Sequence, residues 1–407
     1  MPEALGVWLQ SRRVGTITNL SGDYNLFSFE EEYLEDETRP VLSQAFIGVG
    51  GNVIARVPRT HRIAPPFFAN LLPEDGSFLR ALVARRYQIK SSRDFPYLHV
   101  LGRDLPGALV IDPVGPTRPD DPGFEETRLP TERPLRFSLA GVQPKFSASM
   151  AGKRLTIPID GTGGSWIAKL PTNAFPRLPE NEYAVMGLAR AIGLDVPRTD
   201  LIDLESIDGL PTDLPTLRRD EPRKAYIIER FDRLDGDGRV HVEDFNQIAN
   251  QRPDDKYENK TTSWIANVVA AICPAPDVDQ FVRRLVFGIC VGNNDMHLKN
   301  WAISYPDSRN ARLAPMYDYV CTREYYPGGQ LALTVGGERD FERIGSRAVE
   351  AFAKGAEISA LRAAVIAKDV ATAIHDVWPS LKLSIENDAL RVALERQFSV
   401  VPLMQRR

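Results

Sequence analysis

The sequence predicts an α+β protein with two lobes, the first rich in strands and the second in helices, and an extra mixed α/β domain at its N-terminus. Three observations predict it. Before about residue 235 the apolar runs are short and bounded by turn residues; beyond about 240 apolar residues recur at helical spacing. Residues 113–134 hold six prolines among aspartates and glutamates, the composition of an extended linker. Finally, Leu285–Val291 is an apolar run that stops at Gly292. A polar stretch follows, and Trp301-Ala302-Ile303 resumes the apolar character. That pattern is a buried helix, a polar loop and a short strand. Polar groups on a loop held between apolar elements are a frequent active-site arrangement.

The loop runs Gly292-Asn293-Asn294-Asp295-Met296-His297-Leu298-Lys299-Asn300 and is continued by Met316-Tyr317-Asp318. Asp295 and Asn300 have the D-x-x-x-x-N spacing of a protein-kinase catalytic loop. An aspartate there can orient or accept the proton of an attacking hydroxyl. The asparagine amide oxygen and the later Asp318 carboxylate are hard oxygen donors, and magnesium takes one or two such groups from a protein. In isolation the pattern is more often a turn or a helix end; the apolar elements on either side favour the site.

Composition bounds the rest. With 407 residues there is core enough for two or three domains. A net charge of −4 offers no bulk reason for nucleic-acid binding. Cys273, Cys290 and Cys321 lack C-x-x-C spacing and sit among apolar residues, so reduced buried thiols are expected, with no metal site and no disulfide. The N-terminus carries no apolar signal core, and no apolar stretch is long enough to span a bilayer. These features together predict a cytoplasmic protein.

Residues 1–112 form the N-terminal domain. Leu5–Leu9 and Val14–Ile17 are strand candidates around Ser11-Arg12-Arg13, Ser77–Arg86 is a helix, and Leu109–Ile111 is a strand. None of its residues carries evident chemistry. After the linker at 113–134, residues 135–235 form the small lobe. It begins with Phe137 to Phe146, in which Gly141 permits close backbone approach and Lys145 supplies charge. A phosphate-covering turn fits, although on these residues alone an ordinary hairpin is the better account. Trp166-Ile167-Ala168-Lys169-Leu170 is a buried strand with a lysine inside it, and such a lysine needs a partner or a ligand. The next helix opens at Asn181-Glu182. Glu182 can cap that helix or pair with Lys169, as the lysine–glutamate pair of a kinase does. Residues 203–223 read as a surface insertion, and Ala225–Phe231 as a strand leading to the Asp232-Arg233 turn. Residues 236–407 are a helical large lobe, with core helices at 262–272 and 278–291 and an amphipathic helix at 359–373.

In this order the segments resemble the HipA family, the serine/threonine protein-kinase toxins of bacterial toxin–antitoxin systems. The resemblance rests on Phe67 to Pro73 and Gly102 to Ala108 in the N-terminal domain. In the lobes it rests on Ser138 to Lys145, Ile167 to Pro171, Asn181 to Ala189, Glu229 to Arg233, Asp295 to Asn300 and Tyr317-Asp318. It implies a two-lobed protein-kinase-like fold using ATP and Mg2+. It implies Asp295 as the catalytic aspartate, Asn300 and Asp318 as metal ligands, and Lys169 as the nucleotide-phosphate lysine. Ala140, Gly141, Val142, Gln143, Pro144 and Lys145 correspond to the phosphate-covering loop, and Glu229, Arg230 and Phe231 to the adenine side. His297, Leu298, Lys299, Asn300 and Tyr317 fall in the nucleotide-contacting set. Ser138 matches the serine whose autophosphorylation ejects the loop and silences the kinase.

The partners implied are a cytosolic protein substrate, such as an aminoacyl-tRNA synthetase, and a small helix-turn-helix antitoxin, through which operator DNA is reached. No membrane partner is implied. The sequence lacks H-R-D, D-F-G and a triple-glycine loop, departures that the family shares, and Pro144 is expected to stiffen the loop. Two alternatives stand beside this reading. Asp295, His297 and Asn300 also satisfy the D-x-H-x-x-N of small-molecule and lipid kinases, and a non-catalytic nucleotide-binding co-repressor scaffold would retain the same fold.

Overall fold

The computed structural model describes residues 3–89, 92–114, 143–151, 154–157, 164–211, 214–236 and 238–405. Ser138, Ala140, Gly141 and Val142 lie outside them, as does most of the proline-rich stretch. In the N-terminal domain, strands β1 (Ala4–Leu9), β2 (Arg12–Leu20), β3 (Tyr24–Phe29), β4 (Thr60–His61) and β5 (Leu109–Pro113) form an antiparallel sheet in the order β4-β3-β2-β1-β5. The first turn is tighter than expected: Gln10 takes a φ of 56° and pairing resumes at Arg12. Leu5, Val7 and Leu9 alternate onto the buried face, the period-two pattern of a half-buried strand. Helices α1 (Glu31–Glu35), α2 (Pro66–Ala69), α3 (Phe78–Arg86) and α4 (Asp94–Leu101) complete the domain. Ser77 caps α3 rather than joining it, its hydroxyl accepting the Arg80 N–H.

The small lobe is a six-stranded sheet, β10-β7-β6-β8-β11-β9. Its strands are β6 (Lys145–Ala151), β7 (Arg154–Thr156), β8 (Trp166–Lys169), β9 (Thr199–Asp203), β10 (Ile207–Asp208) and β11 (Lys224–Glu229). The stretch expected as a surface insertion therefore contributes β10, paired in parallel with β7. Helix α5 (Leu178–Ala191) follows Arg177, which is left-handed at φ 56°, and has Pro179 in its first turn. It starts three residues earlier than expected, so Glu182 lies beyond the first turn and capping does not account for it.

Alternation along the strands gives this sheet two different faces. Phe146, Ala148, Ala168, Ala225 and Ile227 join the core of the N-terminal domain, while Tyr226 and Ile228 join α5 and the large lobe. One continuous apolar cluster thus spans the N-terminal and small-lobe sheets. The large lobe holds a small sheet of β12 (His241–Asp244), β13 (Ala302–Tyr305) and β14 (Arg312–Leu313) with helices α6 (Phe245–Ile248), α7 (Thr262–Ile272), α8 (Ala275–Cys290), α9 (Ser346–Gly355), α10 (Ala360–Leu381) and α11 (Asp388–Val400). Helix α10 runs past the expected end at residue 373, and Ser359 is its cap. No helix is long and apolar enough to cross a membrane, among the described residues.

The two N-terminal runs that carry the resemblance are seams. In Phe67 to Pro73, the Phe67 carbonyl accepts from Gln247 (3.0 Å), and the Asn70 amide donates to the Gln251 carbonyl (2.8 Å) and accepts from Asn246 (2.8 Å). In Gly102 to Ala108, Asp104 accepts from Arg230 (3.0 Å) and Arg233 (3.1 Å), and the Gly107 N–H donates to Asp232 (2.7 Å). Gly107 has a φ of +75°, and a Cβ there would lie 2.7 Å from the Val242 nitrogen, so both conformation and space demand glycine. Arg230 is 3% exposed and also grips Asp232 and Ser147. Removing one member of a buried ion pair strands the other charges. Arg230→Met is therefore expected to lower unfolding free energy by roughly 3–5 kcal/mol in a urea titration; a change under about 1 kcal/mol would show that the seam does not depend on it.

Candidate active site

The cleft begins with the pleat of the small-lobe sheet. Period-two alternation that buries Trp166 and Ala168 on one face turns Ile167 and Lys169 toward the other. Lys145 stands directly opposite Lys169 across β6 and β8. A buried ammonium and a half-buried one side by side repel each other unless anions lie between or beside them. Lys169 Nζ meets Glu182 Oε1 at 2.6 Å and Asp318 Oδ1 at 2.7 Å. Burial works against the Lys169 charge, but the attraction and hydrogen bonds of Asp318 and Glu182 outweigh it and hold the ammonium well above its ordinary pKa. Asp318 is likewise opposed by burial, yet Lys169 and Lys145 keep its carboxyl far below the usual range. Among the described residues Lys145 has no such direct partner, and burial brings it down to about 8.

Glu182 is held in register with Asp318 by its neighbour. The Asn181 amide donates to the Cys321 carbonyl (3.0 Å) and accepts from the Cys321 N–H (2.8 Å), so α5 is fastened to the chain just past Asp318. Asp318 itself has a φ of 62°, a left-handed conformation that Asp tolerates better than most residues and that is enriched at functional sites.

Across the cleft, the loop after α8 is tied to its own framework. Gly292 turns the chain at φ +71°, its carbonyl accepting from Thr322 Oγ1 (2.8 Å), which in turn accepts from the Asn294 N–H (2.7 Å). Gly288 leaves room for Met296, whose Sδ would sit 2.1 Å from a Cβ there. The fully buried Asn293 accepts from the Asp295 N–H at 3.0 Å. The Asn300 amide donates to the Asp295 carbonyl at 2.8 Å, which leaves its Oδ1 for the cleft. Asp295 Oδ1 accepts from the Tyr257 hydroxyl at 2.8 Å, and burial raises its carboxyl to about 6. His297 is buried; desolvation and then Lys256 keep it neutral, well below its usual pKa.

These residues line one cavity of about 480 Å³. Its inner wall is apolar, with Ile167, Ile228, Phe231, Val242, Ala302 and Tyr317. The Phe231 and Tyr317 rings lie 5.9 Å apart, and the Tyr317 hydroxyl donates to the Lys299 carbonyl at 3.0 Å. Among the described residues expected to meet nucleotide, Gln143, Lys145, Lys169, Glu229, Phe231, His297, Lys299, Asn300, Tyr317 and Asp318 line this cleft. Gln143 and Pro144 are bonded to Leu170, the former by its amide at 2.7 Å, and Lys145 is the first residue of a strand rather than part of a loop.

Three expectations need correction. Leu298 is fully buried in the large-lobe core and does not line the cavity. The Arg230 guanidinium is committed to the seam with Asp104 and Asp232, so only the rest of that residue can border the cleft. The N-terminal domain does reach the cleft. Glu74 holds Lys256 at 2.7 Å and approaches Lys299 at 3.7 Å, and the Asn70 carbonyl accepts from Lys299 at 3.3 Å. Tyr257, Lys256, Glu74 and Asn70 escaped the sequence reading because no spacing links them to the catalytic loop. The apolar run that opens at Phe67 was the only pointer to that part of the cleft.

A strand-borne lysine bridging a helix glutamate and a loop aspartate, above a second loop bearing Asp295 and Asn300, is the cleft of a two-lobed protein-kinase-like fold. The family models agree: the HipA N-terminal domain matches residues 5–112 and the HipA-like C-terminal domain residues 137–378. The chain belongs to the HipA family. It is 40% identical to a putative kinase, Y4dM, of Sinorhizobium fredii, over 97% of this chain and 98% of that one. It is 25% identical to the serine/threonine-protein kinase toxin HipA of Shewanella oneidensis, over 71% of this chain and 70% of the relative. A solved Shewanella oneidensis complex of HipA, HipB and operator DNA superposes with a TM-score of 0.73 at 21% identity, covering 98% of this chain and 96% of that one; it shows the fold.

The bridge can be tested as a pair. Lys169→Met strands Glu182, which is 1% exposed, at a cost of roughly 3 kcal/mol. Adding Glu182→Gln should recover part of that loss, with a coupling of about 1 kcal/mol or more in denaturant titrations; strictly additive losses would mean that the two side chains act independently.

Proposed function

We propose that this chain is an ATP- and magnesium-dependent serine/threonine protein kinase, acting as the toxin of a toxin–antitoxin pair. The observation that carries the reading is the Lys169 ammonium shared between Glu182 and Asp318, in a cleft that also presents Asp295 and the free Oδ1 of Asn300. Phosphoryl transfer asks a protein mainly for positioning and charge neutralisation. The apolar wall around Phe231 and Tyr317 suits a purine ring. Lys169 and Lys145 supply positive charge for phosphate oxygens, and Asp295 orients the acceptor hydroxyl and takes its proton. Asn300 and Asp318 offer the hard oxygen donors that magnesium prefers, too few to hold it without phosphate oxygens or water. When bound, the metal neutralises charge on the phosphates.

Protein phosphorylation fits the resemblance through Ser138, and the substrate class proposed is a cytosolic protein, with aminoacyl-tRNA synthetases as candidates. A phosphate on Ser138, seven positions before Lys145 in sequence, would add roughly −1.5 to −2 charges to the segment that the resemblance assigns to covering the nucleotide's phosphates. Repulsion would then displace the loop and silence the enzyme. Intact-mass spectrometry of wild type and Asp295→Asn, incubated alike with Mg-ATP, tests both steps. The expected result is one added phosphate, mapped to Ser138, in the wild type alone, with nucleotide binding retained by the variant. Near-full phosphorylation in Asp295→Asn would sink the catalytic assignment, and an unmodified Ser138 in an active preparation would sink the switch.

The proposed partner is a small helix-turn-helix antitoxin that brings the complex to operator DNA, as in the Shewanella oneidensis assembly. Expression from the native operon should yield a complex that Asp295→Asn does not dissociate. Its DNA affinity should fall steeply with salt as phosphate counterions are released. Recovery of this chain alone would count against the partner.

A further inference from the structure

The Tyr257 hydroxyl donates to Asp295 Oδ1 at 2.8 Å. That is the contact, in atom type and distance, that an acceptor hydroxyl makes with a general base before transfer. Tyr257 is 40% exposed and the Asp295 side chain 47% exposed, so the pair meets at the open side of the cleft. The phenol has every reason to stay neutral there: burial and the neighbouring Asp295 charge both raise its pKa. Accordingly it occupies the carboxylate as a neutral alcohol, as a serine or threonine would.

The anchoring of Tyr257 is uneven. The two residues before it are pinned: the Lys256 carbonyl accepts the Leu298 N–H at 3.2 Å, Gln251 donates to the Asp255 carbonyl at 2.9 Å, and Lys256 Nζ grips Glu74 at 2.7 Å. Its ring, in contrast, has an edge contact with His297 at 5.1 Å and the Lys256 ammonium 5.3 Å from its centroid. A side chain with a fixed base and a lightly held ring can turn away without disturbing the loop.

We propose that Tyr257 is a specificity-determining residue that fills the acceptor site, so that an incoming serine or threonine hydroxyl must displace its phenol from Asp295. The inference rests on the kinase reading above. The phenol occupies Asp295 Oδ1 in the absence of substrate, and it sets a threshold that only an acceptor with further contacts to the cleft overcomes. With water as acceptor, the water oxygen bonds the γ-phosphorus, the bond to ADP breaks, and the proton goes to Asp295. Tyr257 holds that wasteful reaction down.

The test uses the full chain with Mg-ATP, alone and with dephosphorylated casein as the acceptor probe. Tyr257→Phe keeps the ring and deletes the hydroxyl, and Tyr257→Ala clears the site. Loss of a hydrogen bond to a charged group changes occupancy by about tenfold or more. Both variants should release ADP without casein about tenfold faster than wild type. The KM for casein should fall by a similar factor while the KM for ATP stays put, and adding Asp295→Asn should abolish the gain. A drop in kcat at unchanged casein KM would make Tyr257 a residue that merely positions Asp295, and the proposal would be wrong. Wild-type rates in both variants would also overturn it, leaving the kinase reading intact. Wild type and both variants that release no ADP under either condition would overturn the kinase reading and this inference with it.

Discussion

A lysine buried in a strand is the constraint from which the cleft follows. Lys169 cannot remain charged in an apolar sheet without anions, and two reach it from different parts of the chain. Glu182 comes from α5 and Asp318 from the loop beyond β14. Their convergence fixes helix, sheet and large lobe relative to one another. The Asn181–Cys321 pair of hydrogen bonds repeats the same connection, one residue from Glu182 and three from Asp318, so the geometry does not depend on a single contact. Lys145, opposite Lys169 and without a direct carboxylate among the described residues, leaves positive charge facing the cleft.

The N-terminal domain is part of this machine rather than an attachment to it. Its sheet shares a continuous apolar cluster with the small lobe. Its polar seams reach Arg230 and Arg233 on one side and α6 on the other. Ser43 and the Gln44 N–H also engage Glu243, a fully buried carboxylate whose pKa burial raises to about 7. From this base Glu74 enters the cleft and holds Lys256. Lys256 precedes Tyr257, and Tyr257 touches Asp295. A perturbation of the N-terminal domain therefore has a short physical route to the catalytic loop, through one ion pair and one hydrogen bond.

Several features of the site were legible in the chain because their signals are local. Asp295, Asn300 and Asp318 announced themselves by spacing beside an apolar helix, and Lys169 by being a charge in an apolar strand. Others misled for equally local reasons. Glu182 fitted a cap as well as a partner for Lys169 because the pattern placed the helix start at Asn181; Pro179 and the left-handed Arg177 move the start to Leu178 and leave the pairing. Leu298 sits between two cleft residues, yet the short helical turn of residues 298–300 points it into the core. Arg230 lies on the adenine-side segment, but a planar guanidinium with carboxylates at hand makes several hydrogen bonds in the seam.

What the sequence determined by itself was the α+β class, the strand-rich then helical order and the polar loop between apolar elements. Hydrophobic period and turn residues act over a few positions, and those signals survive in the linear text. The tertiary structure alone decided which distant groups meet. Glu74 and Lys256 are 182 residues apart, Tyr257 and Asp295 38 apart, and Arg230 and Asp104 126 apart. Their pairing follows from two sheets sharing a core and from buried charges each requiring a partner, conditions that exist only once the chain has folded.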